Sequence, residues 1–241
     1  MPAVAPFPDW LTILSWSTLY LGVGCAALIL VDVARFPQRM GIMNVVWPVT
    51  ALFGTVLVVA LYFKYGRNAQ FSHHGEKHKA PETPFPIIVA KGTLHCGAGC
   101  TLGDMIAETL AFLFPAIAIL FGWKTIFADK TYAVWILDFV LAFGLGVIFQ
   151  YFAIVPMRKL SPAEGLREAV KADALSLVCW QIGMYGLMYL AQRYFSASFG
   201  QQATPDGPVF WFAMQIAMVA GFITSFPANW WLIHTGIKEK M

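Results

Sequence analysis

The sequence predicts an all-α fold, a polytopic transmembrane bundle of about six spans with no soluble domain, and three observations carry that expectation. Of 241 residues, 59% are hydrophobic and only 12% charged, about half the roughly 25% charged share of a soluble domain. The mean hydropathy is +0.65, and the chain holds 9 Trp and 20 Phe. Such a chain is not disordered, and it has no Lys/Arg-dense arm for a nucleic acid. Six apolar runs follow one another at residues 10–33, 41–65, 87–122, 132–157, 172–194 and 208–233. Each is long enough to cross about 30 Å at 1.5 Å per residue. The expected organisation is one domain over residues 1–241, with the lipid bilayer as its first partner.

The stretch before the first run, MPAVAPFPDW, lacks the basic opening of a secretory signal and carries Asp9, so an uncleaved span is expected. The second run is plain and apolar. After it comes GRNAQFSHHGEKHKAPETPFP, with His73, His74 and His78. His74 and His78 stand at i, i+4, a metal-ligand spacing, but the surrounding Lys, Glu and Pro favour a solvated loop.

The third run is too long for one plain span, and its opening, KGTLHCGAGCTLGD, is polar enough to predict an irregular or interfacial stretch. The fourth run contains Asp138. In LSPAEGLREAVKADALS, Ser161 is placed as an N-cap, Pro162 at the first helical position and Glu164 at the third, which predicts a surface helix joined to the fifth span. Asp173, beside Lys171, reads there as a boundary charge. Eleven lysines and arginines fall on the side facing the amino terminus if all six runs cross, and five on the other. That bias predicts both termini in the cytoplasm.

An ionisable side chain in lipid costs about 2.5–3.5 kcal/mol on insertion scales, so each one is informative. They concentrate in the third run. Cys96, Cys100, Asp104 and Glu108 are four apart and form one slowly winding stripe, preceded by Lys91 and His95. Gly92, Gly97, Gly99 and Gly103 in the same run predict close approach of another backbone or an unwound half-helix. His95, Cys96 and Cys100 supply soft and borderline donors that suit copper or another soft metal ion. Asp104, Glu108 and Asp138 are candidates for proton coupling or charge compensation. Secondary ligands or a polar path are sought in Cys179, in Met184 and Met188, in Met214 and Met218, and in Asn44 and Asn229; the methionines also read as ordinary core filler. Gln181 and Gln215 are further polar groups inside runs.

The segments GIMNVVWPVTALFG, HCGAGCTLGDMIAE and FPANWWLIHTGIKEKM, in this order and spacing, resemble the bacterial membrane-protein family known as domain of unknown function 4396. The resemblance runs from about residue 41 to 241. It implies a polytopic helical protein of a prokaryotic cytoplasmic membrane and no established activity. It also directs attention to Trp47 beside Asn44, Asn229, His95, Cys96, Cys100 and Asp104.

The function expected first is a small transporter or membrane metal-handling protein with a copper-like thiol and imidazole site in the third span. One alternative is a membrane-embedded thiol-dependent enzyme, with Cys96 or Cys100 as nucleophile; adjacent helical residues diverge by about 100°, so His95 is not an obvious base for Cys96. The other is a noncatalytic accessory subunit, in a homo-oligomer or membrane complex, whose polar stripe meets another membrane protein.

Overall fold

The computed structural model describes residues 7–67 and 83–240; His73, His74 and His78 lie outside the described residues. Seven helices are present: α1 Asp9–Arg35, α2 Met43–Leu61 continuing into a π-helical turn Tyr62–Gly66, α3 Phe85–Leu113, α4 Ile117–Leu120, α5 Lys130–Arg158, α6 Pro162–Phe199 and α7 Pro208–His234. The outer surface is apolar: Ile13 is 65% exposed, Leu57 81%, Ile182 65% and Ile223 64%. A soluble monomer rarely exposes contiguous patches of that kind, whereas lipid accepts them. Five helical segments, α1, Met43–Gly66, α5, α6 and α7, are long and apolar enough to cross a membrane, and the chain is a multi-pass membrane protein.

Helix α3 is the axis of the bundle. Every residue from Gly92 to Thr101 is buried, whichever side it faces, so its polar groups meet protein rather than lipid. The expected irregular stretch is absent: residues 91–104 are continuous α-helix. Their glycines act instead by letting neighbours close in. A Cβ on Gly103 would stand 2.4 Å from the backbone nitrogen of Ala142, and one on Gly99 2.7 Å from the Cα of Gly146. Two small residues four apart on α3 thus face two on α5, the packing that brings membrane helices into backbone contact. At Gly97 the neighbour is the indole of Trp180 on α6, 2.2 Å from such a Cβ.

The break in regular structure falls in the middle of the second apolar run, where the sequence shows no charged residue to announce it. Thr55 has φ 43° and ψ −127°, the mirror image of the extended region, and the chain reverses there. The Trp47 and Tyr62 rings lie 5.5 Å apart, although 15 residues of straight helix would separate them by about 22 Å. The Trp47 indole also fills the space over Gly66. Residues 43–54 therefore enter the bundle and residues 56–66 return to the end they came from, a re-entrant helical hairpin. Its inner leg is packed on protein, with Ala51 and Phe53 buried, whereas Val56 and Leu57 just past the turn face outward. Its tip reaches mid-bundle: the Phe53 ring meets Trp180 at 5.7 Å, and Gln215 Nε2 donates to the Leu52 carbonyl at 2.7 Å. Asp32 of α1 clasps the open end, taking hydrogen bonds from Tyr62 Oη at 2.7 Å and Arg67 Nη2 at 2.9 Å.

The reversal changes the path of everything after it. Phe85, at the start of α3, packs on Trp230 at 4.9 Å near the end of α7, while Phe7, before α1, packs on Phe195 and Phe199 at the end of α6. The beginning of α1 and the end of α7 therefore lie at opposite ends of the bundle. The expectation of both termini on one side rested on six full crossings, and the second run turns back before completing its own.

Two smaller points concern boundaries. The third run ends early, at Leu113, because Pro115 disfavours helix at the residue before it; α4 and a short loop follow. The junction expected before the fifth span is present: Ser161 and Glu164 form a reciprocal capping box, and α6 continues unbroken for 38 residues.

A β-branched residue at positive φ is strained by about 1–3 kcal/mol. Thr55→Gly is expected to raise the stability of the protein in detergent by about 1 kcal/mol. Thermal melting followed by size-exclusion chromatography checks it; a lower melting temperature would show that the Thr55 side chain supports the tip.

Candidate functional site

The stripe on α3 faces α5 and α6, and together these helices enclose a polar seam. From His95 to Glu108 it spans thirteen residues of α3, about 20 Å of helix. Three groups follow along it.

The first group lies toward the end of the bundle where α7 finishes. Cys96 Sγ is 3.1 Å from Ser176 Oγ, and Ser176 Oγ is 3.4 Å from Asp173 Oδ1. Asp173 in turn pairs with Lys238 Nζ at 3.2 Å, both side chains wholly buried. Asn229 Nδ2 donates to Ser225 Oγ at 2.9 Å, and Ser225 Oγ donates to the Ser176 carbonyl at 2.8 Å. His95 lies within electrostatic reach of Lys238 and Asp173. Its ring packs edge-on to Phe149 of α5 at 6.3 Å, and neither ring nitrogen has a hydrogen-bond partner. Asp173 was expected to be a surface charge. Its helical spacing from Ala169, Ser176 and Trp180, which share its face of α6, was the available sign of burial. For Lys238 the sequence has no comparable sign.

The second group is at mid-bundle. Gln181 Nε2 donates to Asp104 Oδ1 at 3.2 Å. Asp104 Oδ2, Gln181 Oε1 and both oxygens of Asp138 are buried without a partner. Asp138 feels both Glu108 and Asp104 electrostatically.

The third group opens outward. Glu108 lines a cavity of about 240 Å³ with Lys130, Trp135, Gln192 and Gln202. The nearest cation, Lys130, is committed to the Ala111 carbonyl at 2.7 Å.

The proposed soft-metal ligands do not meet at one point. His95 turns toward α5 and Cys96 toward α6, as adjacent helical positions must. Among the described residues no three His, Cys, Asp or Glu side chains gather closely enough to hold a metal ion. What persists is a pair: the Cys96 and Cys100 thiols, both buried, stand one turn apart on α3. Of the secondary candidates, Met184 and Met188 are buried in α6. Met214 and Met218 line an apolar groove of about 180 Å³ beside the hairpin tip, and Met218 Sδ accepts from Thr101 at 3.6 Å. Cys179 is half-buried, and its carbonyl accepts from Thr224 at 2.7 Å. Asn44 stands outside the seam, where its Oδ1 accepts from the Gln38 amide at 2.8 Å and closes the loop before the hairpin.

A family model described as a domain of unknown function (DUF4396) matches residues 88–238. The chain belongs to the DUF4396 family. The matched range takes in all three groups of the seam, including Asp173 and Lys238, and leaves out α1 and the re-entrant hairpin. Among curated proteins and among solved structures, none matches this chain.

Proposed function

We propose that this DUF4396 protein is a membrane carrier that moves protons along the seam between α3, α5 and α6. The observation that carries this reading is the excess of acceptors at mid-bundle: four buried oxygens on Asp104, Asp138 and Gln181 have no donor. A buried acceptor without a donor costs about 1–3 kcal/mol, and an uncompensated buried charge more. A proton on a carboxyl group turns one acceptor into a donor and removes the charge. Asp104 and Asp138 are the exchanging groups in this reading, and Glu108 connects them with the open cavity.

The positive-inside rule supports an orientation. Of the fourteen lysines and arginines among the described residues, only Lys124, Lys130 and Arg193 lie at the Glu108 end of the bundle. The end where α7 finishes is cytoplasmic in this proposal, the amino terminus is on the other face, and the Glu108 cavity opens away from the cytoplasm. The membrane is the cytoplasmic membrane of a prokaryote.

The test is proton uptake by proteoliposomes under a potassium diffusion potential, followed with an internal pH dye. The intact chain is expected to acidify the lumen, and Asp104→Asn and Asp138→Asn to slow it by at least about tenfold. Uptake no faster than in protein-free vesicles, or asparagine variants as fast as the parent, would overturn the proposal.

The burial of two free thiols one turn apart on α3 favours a second, narrower reading, in which Cys96 and Cys100 bind one soft ion such as Cu(I). Elemental analysis after anaerobic loading checks it. About one copper per chain is expected, with loss of that copper in a Cys96→Ser, Cys100→Ser variant.

A further inference from the structure

The seam differs at its two ends. At the Glu108 end it meets a cavity of about 240 Å³. At the other end the chain after α7 turns across it. Gly236, at φ +73°, reverses the direction, and the amides of Ile237 and Lys238 both bond to the Leu232 carbonyl at 3.0 Å. That turn carries the Lys238 side chain inward to Asp173, where neither is exposed. The next residue, Glu239, pairs with Arg158 at the end of α5, and Arg158 also reaches Glu168 of α6 at 3.4 Å. Six residues, 235–240, thereby join the ends of α5, α6 and α7.

Behind Lys238 lie polar groups that the protein does not satisfy: both His95 ring nitrogens, Asp173 Oδ2 and Asn229 Oδ1 are buried without partners. Polar atoms of this kind are ordinarily met by water or by another protein group. Here the lysine stands between them and the end of the bundle.

We propose that the carboxy-terminal segment 235–240 is the gate at this end of the seam, with the Lys238–Asp173 pair as its inner bolt and Glu239–Arg158 as its outer one. Withdrawal of the segment opens the His95, Cys96 and Asp173 group to water. The structure is then the state open at Glu108 and shut at the carboxy terminus. The function of the gate rests on the carrier reading above, but its opening is measurable without any transport.

Cys96 reports that opening, because Ser176 and Asp173 alone stand between its thiol and Lys238 in the hydrogen-bonded chain. In full-length protein with Cys25, Cys100 and Cys179 replaced by alanine, a membrane-impermeant cationic methanethiosulfonate is applied to one face of oriented vesicles at a time. With the gate intact, Cys96 is expected to react slowly from both faces. Lys238→Ala breaks the inner bolt and leaves the Asp173 carboxylate without its cation unless the segment opens to water, and Glu239→Gln weakens the outer one. Each is expected to speed labelling by about tenfold or more, as a larger open population requires, and only from the carboxy-terminal face.

Equal rates in parent and both variants would overturn the gate, as would fast labelling of the parent or acceleration from the opposite face. Glu239→Gln leaves the core untouched, so a folding defect in Lys238→Ala does not remove the test. If labelling accelerates while proteoliposomes take up no protons, the gate stands and the carrier reading falls; the reverse result separates them the other way.

Discussion

Gly103→Ala is expected to cost this protein its folded bundle, although it adds one methyl group to a helix. That methyl would lie 2.4 Å from the Ala142 nitrogen and 2.5 Å from its Cα. Both atoms belong to helix backbone and cannot rotate away, so α3 and α5 must separate. Overpacking of this kind costs about 1–3 kcal/mol in ordinary cores, and here the parting of two backbones also loosens the Asp104 and Asp138 region. A Leu at position 103 is expected to leave no monodisperse protein after extraction in detergent. Gly144→Ala is the control: it lies on the same helix as Ala142, its added Cβ meets nothing within 4 Å, and helix propensity favours Ala by about 1 kcal/mol. Size-exclusion profiles and thermal melting of the three variants give the comparison. Equal stability of Gly103→Ala and the parent would mean that the helices are not in backbone contact.

Lys238→Ala is expected to destabilise the protein by about 3–5 kcal/mol, because it leaves the Asp173 carboxylate buried without its cation. The pair itself is a different matter. Two charges taken out of water gain little net stability from one another, so removing both is often neutral. Asp173→Asn with Lys238→Met should therefore recover most of what Lys238→Ala loses. Equilibrium unfolding in mixed micelles measures the three states. A loss in the double variant equal to that in Lys238→Ala would show that the lysine acts through its apolar stem rather than through charge. The same reasoning applies to the gate: Lys238→Ala is expected to open the carboxy-terminal end, and the double variant to stay nearly as closed as the parent.

Much of the seam was visible as spacing. Cys96, Cys100, Asp104 and Glu108 stand four apart, and a helix turns such a series to one side whatever surrounds it. The glycines between them predicted close approach, and Gly99 and Gly103 make it with α5. What spacing could not supply was the partner. Asp104 meets Gln181 on a helix 77 residues away in sequence, and His95 packs on Phe149 of α5 while Cys96 meets Ser176 of α6.

The sequence by itself determined the solvent of this protein and its helical character. Composition and long apolar runs leave no other stable home for so little charge, and in lipid every backbone group must be paired within a helix or barrel. It also determined local ends, such as the Ser161–Glu164 cap, because those depend on residues a few positions apart. Only the tertiary structure decided the path. An apolar run of 25 residues satisfies the length of a span equally well whether it crosses or reverses at Thr55, since hydropathy adds up along the chain and is indifferent to direction. The reversal is held by Gln215 and Trp180 at its tip and by Asp32 at its base, all distant in sequence. Burial of Lys238 has the same origin: a lysine just past the end of a helix is solvated unless a carboxylate on another helix waits for it, and Asp173 does.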